Sequence, residues 1–543
     1  MATDPSPGKA RTLTALLAQC AKRWPEGECL RFAGRSLTFT EVERGVNRLA
    51  SVLLASGVEA GQRVAIMVPN GLGFPIAWLA AIKLRAVAVP VHVTYGPTDL
   101  RHVFELADVR HALVGSEQKE VVLDVVKRLP ASVAVRVLDD SGWLDDSAGL
   151  DHSGLWGVSG VSKDRPLDVL NSALVAPAEP NDPVSIQFTS GTTGLPRGCV
   201  LDHSYWLGVA RAFQGALRLG PHDVLLTSQP QTYMDPSWNL ILALMAGAPL
   251  VVLPRFSASG FWEDVRRNQV TFFYCIGTMP LYLLKQPPDA ARDRAHSVKM
   301  VYCSGIPTAL HSEFEERWGC PWRETYGTTE LGAVLVVEPD DDASVGTGDM
   351  GRAVQGRQVR VVADSGAEAP AGIPGELQVR GPGSMQHYYR DPDATVARRT
   401  SGWERTGDVV VRSEDGRIRL VGRTNDMIRR AGENISAAEV EAVLGQHPYV
   451  RAAACIAVPD TDRGEELKAY LLPVGTQDPS MIDPAEVHSF VAAKLAPFKV
   501  PRYIEAVDTL PLTPSQKIAK AELIDSRADH RVGAWDAEAR PGP

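Results

Sequence analysis

No stretch of the chain holds the roughly twenty uninterrupted apolar residues that a membrane-spanning helix needs. Residues 74–93 are broken by Pro75, Lys83, Arg85 and Pro90, and residues 240–253 by Gly247 and Pro249. Basic residues are outnumbered too, 56 Lys and Arg against 65 Asp and Glu, for a net charge of -9. That excludes a surface built for nucleic acid or acidic lipid, which depends on clustered cations. Seven cysteines are scattered without a CxxC pair or a histidine cluster at ligand spacing, so neither a zinc site nor a disulfide framework is expected. Reduced thiols in a cytoplasmic protein are the expectation. Leu16 to Cys20 imitates a lipoprotein signal after Lys9 and Arg11, but its apolar run is too short and Gln19 is wrong before the cysteine. The phosphate-binding pattern GxxxxGKS or GxxxxGKT is absent, and no internal repeat is found.

What is present is an ordinary globular composition, 44% hydrophobic and 22% charged, spread over 543 residues. That length exceeds one hydrophobic core and predicts at least two domains. Helical patterns followed by short β-branched runs recur through the first four hundred residues, as in 42–54 leading into Val64 to Val68 and 76–81 leading into Val87 to Val89. This predicts an α/β fold with largely parallel, buried sheets. After Val354 short strands at 359–362, 375–379 and 417–421, set between glycine and proline turns, predict a β-rich subdomain closing the large domain. Beyond Arg423 a helix near 437–444, a strand near 452–458 and a helix near 484–495 predict a separate small α+β domain. Residues 158–183 read as a loop, and the tail after Asp525 as frayed.

The densest chemical signal is Thr189-Ser190-Gly191-Thr192-Thr193-Gly194-Leu195-Pro196-Arg197-Gly198, after the strand-like run Val184 to Phe188. Its glycines let backbone amides close around an anion, its hydroxyls add donors and Arg197 adds charge, which suits a phosphate cradle. Tyr326-Gly327-Thr328-Thr329-Glu330 offers an aromatic face, hydroxyls and a carboxylate suited to a purine, a phosphate and a metal. Then follow Trp403-Glu404-Arg405-Thr406-Gly407-Asp408, Gly422-Arg423-Thr424-Asn425-Asp426, Gly432-Glu433-Asn434 and Leu510-Pro511-Leu512-Thr513-Pro514-Ser515-Gln516-Lys517.

Together, in this order, the motifs resemble the ANL superfamily of adenylate-forming enzymes, and look closest to its crotonobetaine/carnitine-CoA ligase branch. The resemblance implies a large N-terminal AMP-binding domain over 1–424 and a small mobile lid over 425–543. It implies ATP and Mg²⁺ as cofactors, with CoA as co-substrate. Carried over by position, Thr189, Ser190, Gly191, Thr192, Thr193, Gly194 and Arg197 hold the β- and γ-phosphates, and Tyr326, Gly327, Thr328 and Gly305 line the nucleotide. Thr329 binds the α-phosphate, Glu330 holds Mg²⁺, Asp408 accepts the ribose hydroxyls and Arg423 approaches the ribose or phosphate. Asn425 is the hinge, Gly432 and Glu433 line a thiol tunnel, and Lys517 is the catalytic lysine. A positioned cation is what carboxylate attack on an α-phosphorus requires, since negative charge meets negative charge.

Three positions depart from the usual pattern: Arg197 stands for lysine, Asn425 for a charged hinge, and Gln516 for the glycine before Lys517. The region that sets acyl selectivity holds Tyr233, Met234, Asp235 and Trp238, with Ser304 in the later wall. That lining is too polar and bulky for a long alkyl chain and suits a small aromatic or polar acid. The alternative that Trp238 packs in the core stays open, as does the acceptor: CoA, a carrier-protein thiol, or nitrite and an aryl amine in a secondary-metabolic diazotase. A catalytically silent nucleotide-binding scaffold is the reading from another class. A monomer or homodimer without nucleic acid or membrane partners is expected.

Overall fold

The computed structural model describes residues 9–138, 177–189, 196–276, 279–363, 365–423, 427–430, 433–461, 463–475, 478–512 and 518–539. The chain divides into two compact units. One comprises Met1–Thr189, Leu195–Gln358 and Arg380–Arg399, the other Ser190–Gly194, Val359–Val379 and Thr400–Pro543.

The first unit is α/β, with two large sheets. In one, strands Pro183–Thr189, Val87–Pro90, Arg63–Met67, Val109–Val114 and Ala134–Val137 run parallel, and Arg197–Asp202 and His387–Tyr388 close one edge antiparallel. In the other, six parallel strands from Glu28–Phe32 to Trp322–Thr328 are flanked antiparallel by Arg35–Thr38, Gly332–Val336 and Arg352–Ala353. Helices Gly73–Lys83 and Met234–Ala246 are apolar around almost their whole circumference, which only a fully enclosed helix tolerates. One hydrophobic cluster accordingly runs through both helices and through side chains of both sheets. Helix starts follow local chemistry: Thr38 and Glu41 form a reciprocal capping box before Phe39–Ala55, and Asp202 caps His203–Leu217.

Strands expected after Val354 are present at Gln358–Val362, Gly375–Arg380 and Ile418–Arg423, joined by Trp403–Arg412 in a five-stranded sheet. This sheet groups with the C-terminal segment, not with the large unit whose closure it was expected to form. Helix Ala437–Leu444 and strand Glu433–Ser436 pack on Ile418–Arg423, which ties the two together. The C-terminal part holds the expected helices at Ala437–Leu444 and Pro484–Ala492, and its strand runs longer than expected, Val450–Asp460.

The tail after Asp525 is a correction. It is not frayed through 539: Trp535–Asp536 pairs with Tyr503–Ala506, Asp536 bonds Arg502 at 2.9 Å, and buried His530 bonds the Tyr470 hydroxyl at 2.6 Å. Polar anchors, invisible to an apolar count, dock it. The lipoprotein-like segment lies inside helix Leu13–Arg23, with Cys20 buried, and all seven cysteines are free and buried. Among the described residues no helix is long and apolar enough to cross a membrane. Most of the expected loop 158–183 lies outside the described residues.

Candidate active site

Strands Pro183–Thr189 and Arg197–Asp202 form a hairpin in which Thr189 faces Arg197. The cradle residues Ser190, Gly191, Thr192, Thr193 and Gly194 lie outside the described residues, so the hairpin fixes only their two ends. Arg197 ion-pairs with Asp391 at 3.1 Å and lies over the Tyr388 ring, 5.7 Å from its centre. The Tyr388 hydroxyl in turn donates to Glu330 Oε1 at 2.7 Å, and Arg398 stands 3.8 Å from the same oxygen. Burial pushes the Glu330 carboxyl up, but the Arg398 guanidinium and the Tyr388 hydroxyl outweigh it and hold the group below the usual carboxylate range. Glu330 is therefore an ionised, half-buried carboxylate with one oxygen already bound. Tyr388, Asp391 and Arg398 escaped the sequence reading. Their only signal is an aromatic and charged run, Tyr388-Tyr389-Arg390-Asp391-Pro392, where a proline starts a short helix.

Glu330 follows the strand Trp322–Thr328, whose Tyr326 is buried opposite Leu335. A Cβ on Gly327 would collide with the carbonyl of Gly332, so the tight pairing of these strands requires glycine there. The Tyr205 hydroxyl donates to the Thr329 carbonyl at 2.8 Å, and the Thr329 hydroxyl donates to Met234 Sδ at 3.6 Å. Two residues before Tyr326, Glu324 accepts backbone N–H bonds from Gly305 at 2.6 Å and Ile306 at 2.8 Å. Burial raises its carboxyl to about 8, only partly countered by these two donors. Gly305 itself has φ 99°, a left-handed backbone. The neighbouring Ser304 hydroxyl donates to the Thr325 carbonyl at 2.7 Å and lies 2.8 Å from the Tyr274 hydroxyl. The 304–306 loop and the Tyr326 strand are thus one fixed ensemble.

In the region expected to receive the acid, Tyr233 precedes helix Met234–Ala246 and stacks on His92, with ring centres 5.3 Å apart. Burial lowers the His92 imidazole, which is therefore neutral at physiological pH. Trp238 lies in the core: it stacks on Phe213 at 4.3 Å, meets Tyr274 edge-on, and donates its indole N–H to Asp235 at 3.1 Å. Nearby segments carry buried polar atoms without a protein partner: Gln187 Oε1, Thr232 Oγ1 and Asn239 Oδ1. The amide nitrogens of Gln187 and Asn239 each donate to a backbone carbonyl at 2.6 Å, which fixes the remaining oxygens as acceptors.

In the second unit Asp408 is buried on Trp403–Arg412, across from Arg423, and its backbone N–H bonds the Thr406 hydroxyl at 3.0 Å. Glu433 opens the strand Glu433–Ser436. Asn425, Gly432 and Lys517 lie outside the described residues. On either side of Lys517, Leu512 and Ile518 pair antiparallel.

A Mg²⁺ ion is commonly held by one or two carboxylates together with substrate phosphates. The described residues contain no cluster of three or more metal-ligating side chains. Glu330, held ionised by Arg398 and Tyr388, fits that single-carboxylate mode.

The family model for AMP-binding enzymes matches residues 17–389, and that for the AMP-binding enzyme C-terminal domain matches 439–517. The chain is similar to a sulfoacetate–CoA ligase of Cupriavidus necator, 29% identical over 520 residues that cover 95% of this chain and 97% of that protein. It is also similar to a crotonobetaine/carnitine–CoA ligase of Salmonella choleraesuis, 30% identical over 506 residues, 90% and 93% of the two chains. Among solved structures it shares the fold of the anthranilate CoA ligase AuaEII in complex with anthranoyl-AMP, with a TM-score of 0.83 at 23% identity over 95% and 96% of the chains.

Proposed function

The chain belongs to the AMP-binding enzyme family of the ANL superfamily and is an adenylate-forming ligase, and from that premise we propose that it couples a small polar carboxylic acid to CoA through an acyl-adenylate. The observation that carries the choice of acid is the pair of buried, unpartnered acceptors Gln187 Oε1 and Asn239 Oδ1, on segments next to Tyr233, which stacks on neutral His92. Acceptors buried without a donor are costly unless a ligand or water supplies one, and a long alkyl chain supplies none. The similarity to ligases named for sulfoacetate and for crotonobetaine or carnitine, both small polar acids, supports the same reading.

In the first step an oxygen of the carboxylate attacks the α-phosphorus of ATP, forming the acyl–phosphate bond while pyrophosphate leaves. Ser190 to Gly194, with Thr189 at their edge, would grip the β- and γ-phosphates, and Thr329 the α-phosphate. Tyr326 and the Gly305 loop would seat the adenine, with Asp408 and Arg423 at the ribose. Lys517 would bring a cation to the charge that develops. Glu330 would hold Mg²⁺, which when bound supplies positive charge to the phosphates. In the second step the CoA thiol attacks the acyl carbonyl, AMP leaves, and the thiol proton passes to solvent. Movement of 425–543 about Asn425 would withdraw Lys517 and bring Gly432 and Glu433 to the thiol path.

The test is a product assay with ATP across small aliphatic and aryl acids, with and without CoA, read by mass spectrometry. Acid-dependent AMP together with an acyl-CoA is expected. AMP formed with no acyl-CoA would move the acceptor to a carrier-protein thiol or an amine, and no acid-dependent AMP at all would sink the reading.

A further inference from the structure

At the far end of the Pro183–Thr189 strand from the phosphate loop, a groove of about 250 Å³ opens on the first unit. Pro183 in its wall is six residue steps from Thr189, about 20 Å at strand rise, and Ile186 three steps, about 10 Å, and neither Glu330 nor Thr189 lines the groove. Its walls are apolar, from Val87, Ile186, Val200 and Tyr389, and Arg63, Arg85 and the Arg85-paired Asp182 stand beside them.

The charge around the groove is one-sided. Arg85 bonds Asp182 at 3.0 Å, while Arg63, Arg110 and Arg390 converge on the single carboxylate of Asp108, the last two at 3.0 and 3.9 Å. Four guanidiniums thus face two carboxylates, a local surplus of positive charge on a chain whose net charge is -9. Backbone strain gathers at the same place. Of the seven non-glycine residues with left-handed backbone among those described, three belong to this network: Arg85 (φ 56°), Asp108 (φ 51°) and Arg390 (φ 55°). Arg85 follows the C-cap of helix Gly73–Lys83, a position where glycine serves best, yet it carries a guanidinium into the groove.

We propose that this groove binds a small organic anion, seating its charged group between Arg63 and Arg85 and its apolar body on Ile186, Val200 and Tyr389. Surplus guanidinium charge selects the anion, and the apolar walls select against a bare inorganic ion.

The test uses phenyl phosphate as probe, titrated calorimetrically into the whole chain with AMP saturating the nucleotide site. One-site binding is expected, with inorganic phosphate and phenol each at least about tenfold weaker because each offers half of the recognition. Arg85→Gly should weaken phenyl phosphate at least about tenfold while the protein melts no lower than the native chain, because glycine relieves the left-handed backbone. Ala60→Trp, which fills the groove from an exposed position, should block binding without touching the core. Equal affinity in the Arg85→Gly protein, no saturable binding, or binding that AMP abolishes would each overturn the proposal.

Discussion

The carboxyl group of Glu324 is clamped by the backbone N–H of Gly305 at 2.6 Å, and with the Ile306 N–H at 2.8 Å it ties the 304–306 loop to the strand that carries Tyr326. One side chain thereby sets the spacing of two segments proposed to seat the adenine. Glutamine keeps the shape but presents an NH₂ to one of the two N–H donors. Glu324→Gln should therefore destabilise the chain by about 1 to 3 kcal/mol and raise the KM for ATP more than it lowers kcat. Thermal melting and steady-state kinetics check both, and an unchanged KM would remove Glu324 from adenine positioning.

The same pair predicts a pH dependence of stability. Glu324 has a folded-state value of about 8 against an ordinary 4.5. Between those values the folded chain keeps a proton that the unfolded chain has released. Its contribution is complete below pH 4.5 and is lost as pH rises through 8, with a limiting slope of about 1.4 kcal/mol per pH unit. The stability difference between the native chain and Glu324→Gln should fall across this window. A flat difference curve in denaturant titrations at pH 5, 6.5 and 8 would contradict the assignment.

Tyr388→Phe tests the other charged pair. Loss of the 2.7 Å hydroxyl bond removes one of the groups that hold the Glu330 carboxyl ionised, so it should protonate at higher pH than in the native chain. The acidic limb of the adenylation profile should move upward in pH, and Mg²⁺ should half-saturate at higher concentration. Phenylalanine keeps the ring under Arg197, so the hairpin should melt as before. An acidic limb that stays in place would show that Glu330 does not govern it.

The fold was legible because its signals are local and periodic. Helix 437–444 and the helix-strand pairs around 76–89 and 240–253 read directly from apolar spacing. Tyr326, Glu330 and Asp408 could be proposed for the site because they stand in ordered motifs. Glu324, Tyr388 and Arg398 were not, since their role comes from contacts across 18 to 68 residues of chain that no spacing rule reaches. The tail beyond Asp525 misled for a related reason: ion pairs and a buried histidine hold it, and none of these contributes to an apolar pattern.

Trp238 separates pocket from core. It stacks on Phe213 at 4.3 Å and is almost wholly buried, so truncation to alanine should cost about 3 to 5 kcal/mol of stability. Trp238→Phe should leave the ranking of acids nearly unchanged, whereas Tyr233→Ala, which removes the ring stacked on His92, should reorder it. Competition assays with paired acids decide the matter. A reordering caused by Trp238→Phe alone would return Trp238 to the pocket wall.

Lys517 carries the sharpest mechanistic prediction. If its cation meets the charge that develops when the carboxylate attacks the α-phosphorus, Lys517→Ala should slow adenylation by about a hundredfold or more, the scale seen when one transition-state charge partner is lost. If, as proposed, a lid movement takes the lysine away before thiol attack, transfer from a preformed acyl-adenylate to CoA should change far less. Single-turnover assays started from acid and ATP, and separately from the synthetic adenylate, read the two steps apart. Equal losses in both would mean that Lys517 serves the fold or the hinge rather than the first chemical step.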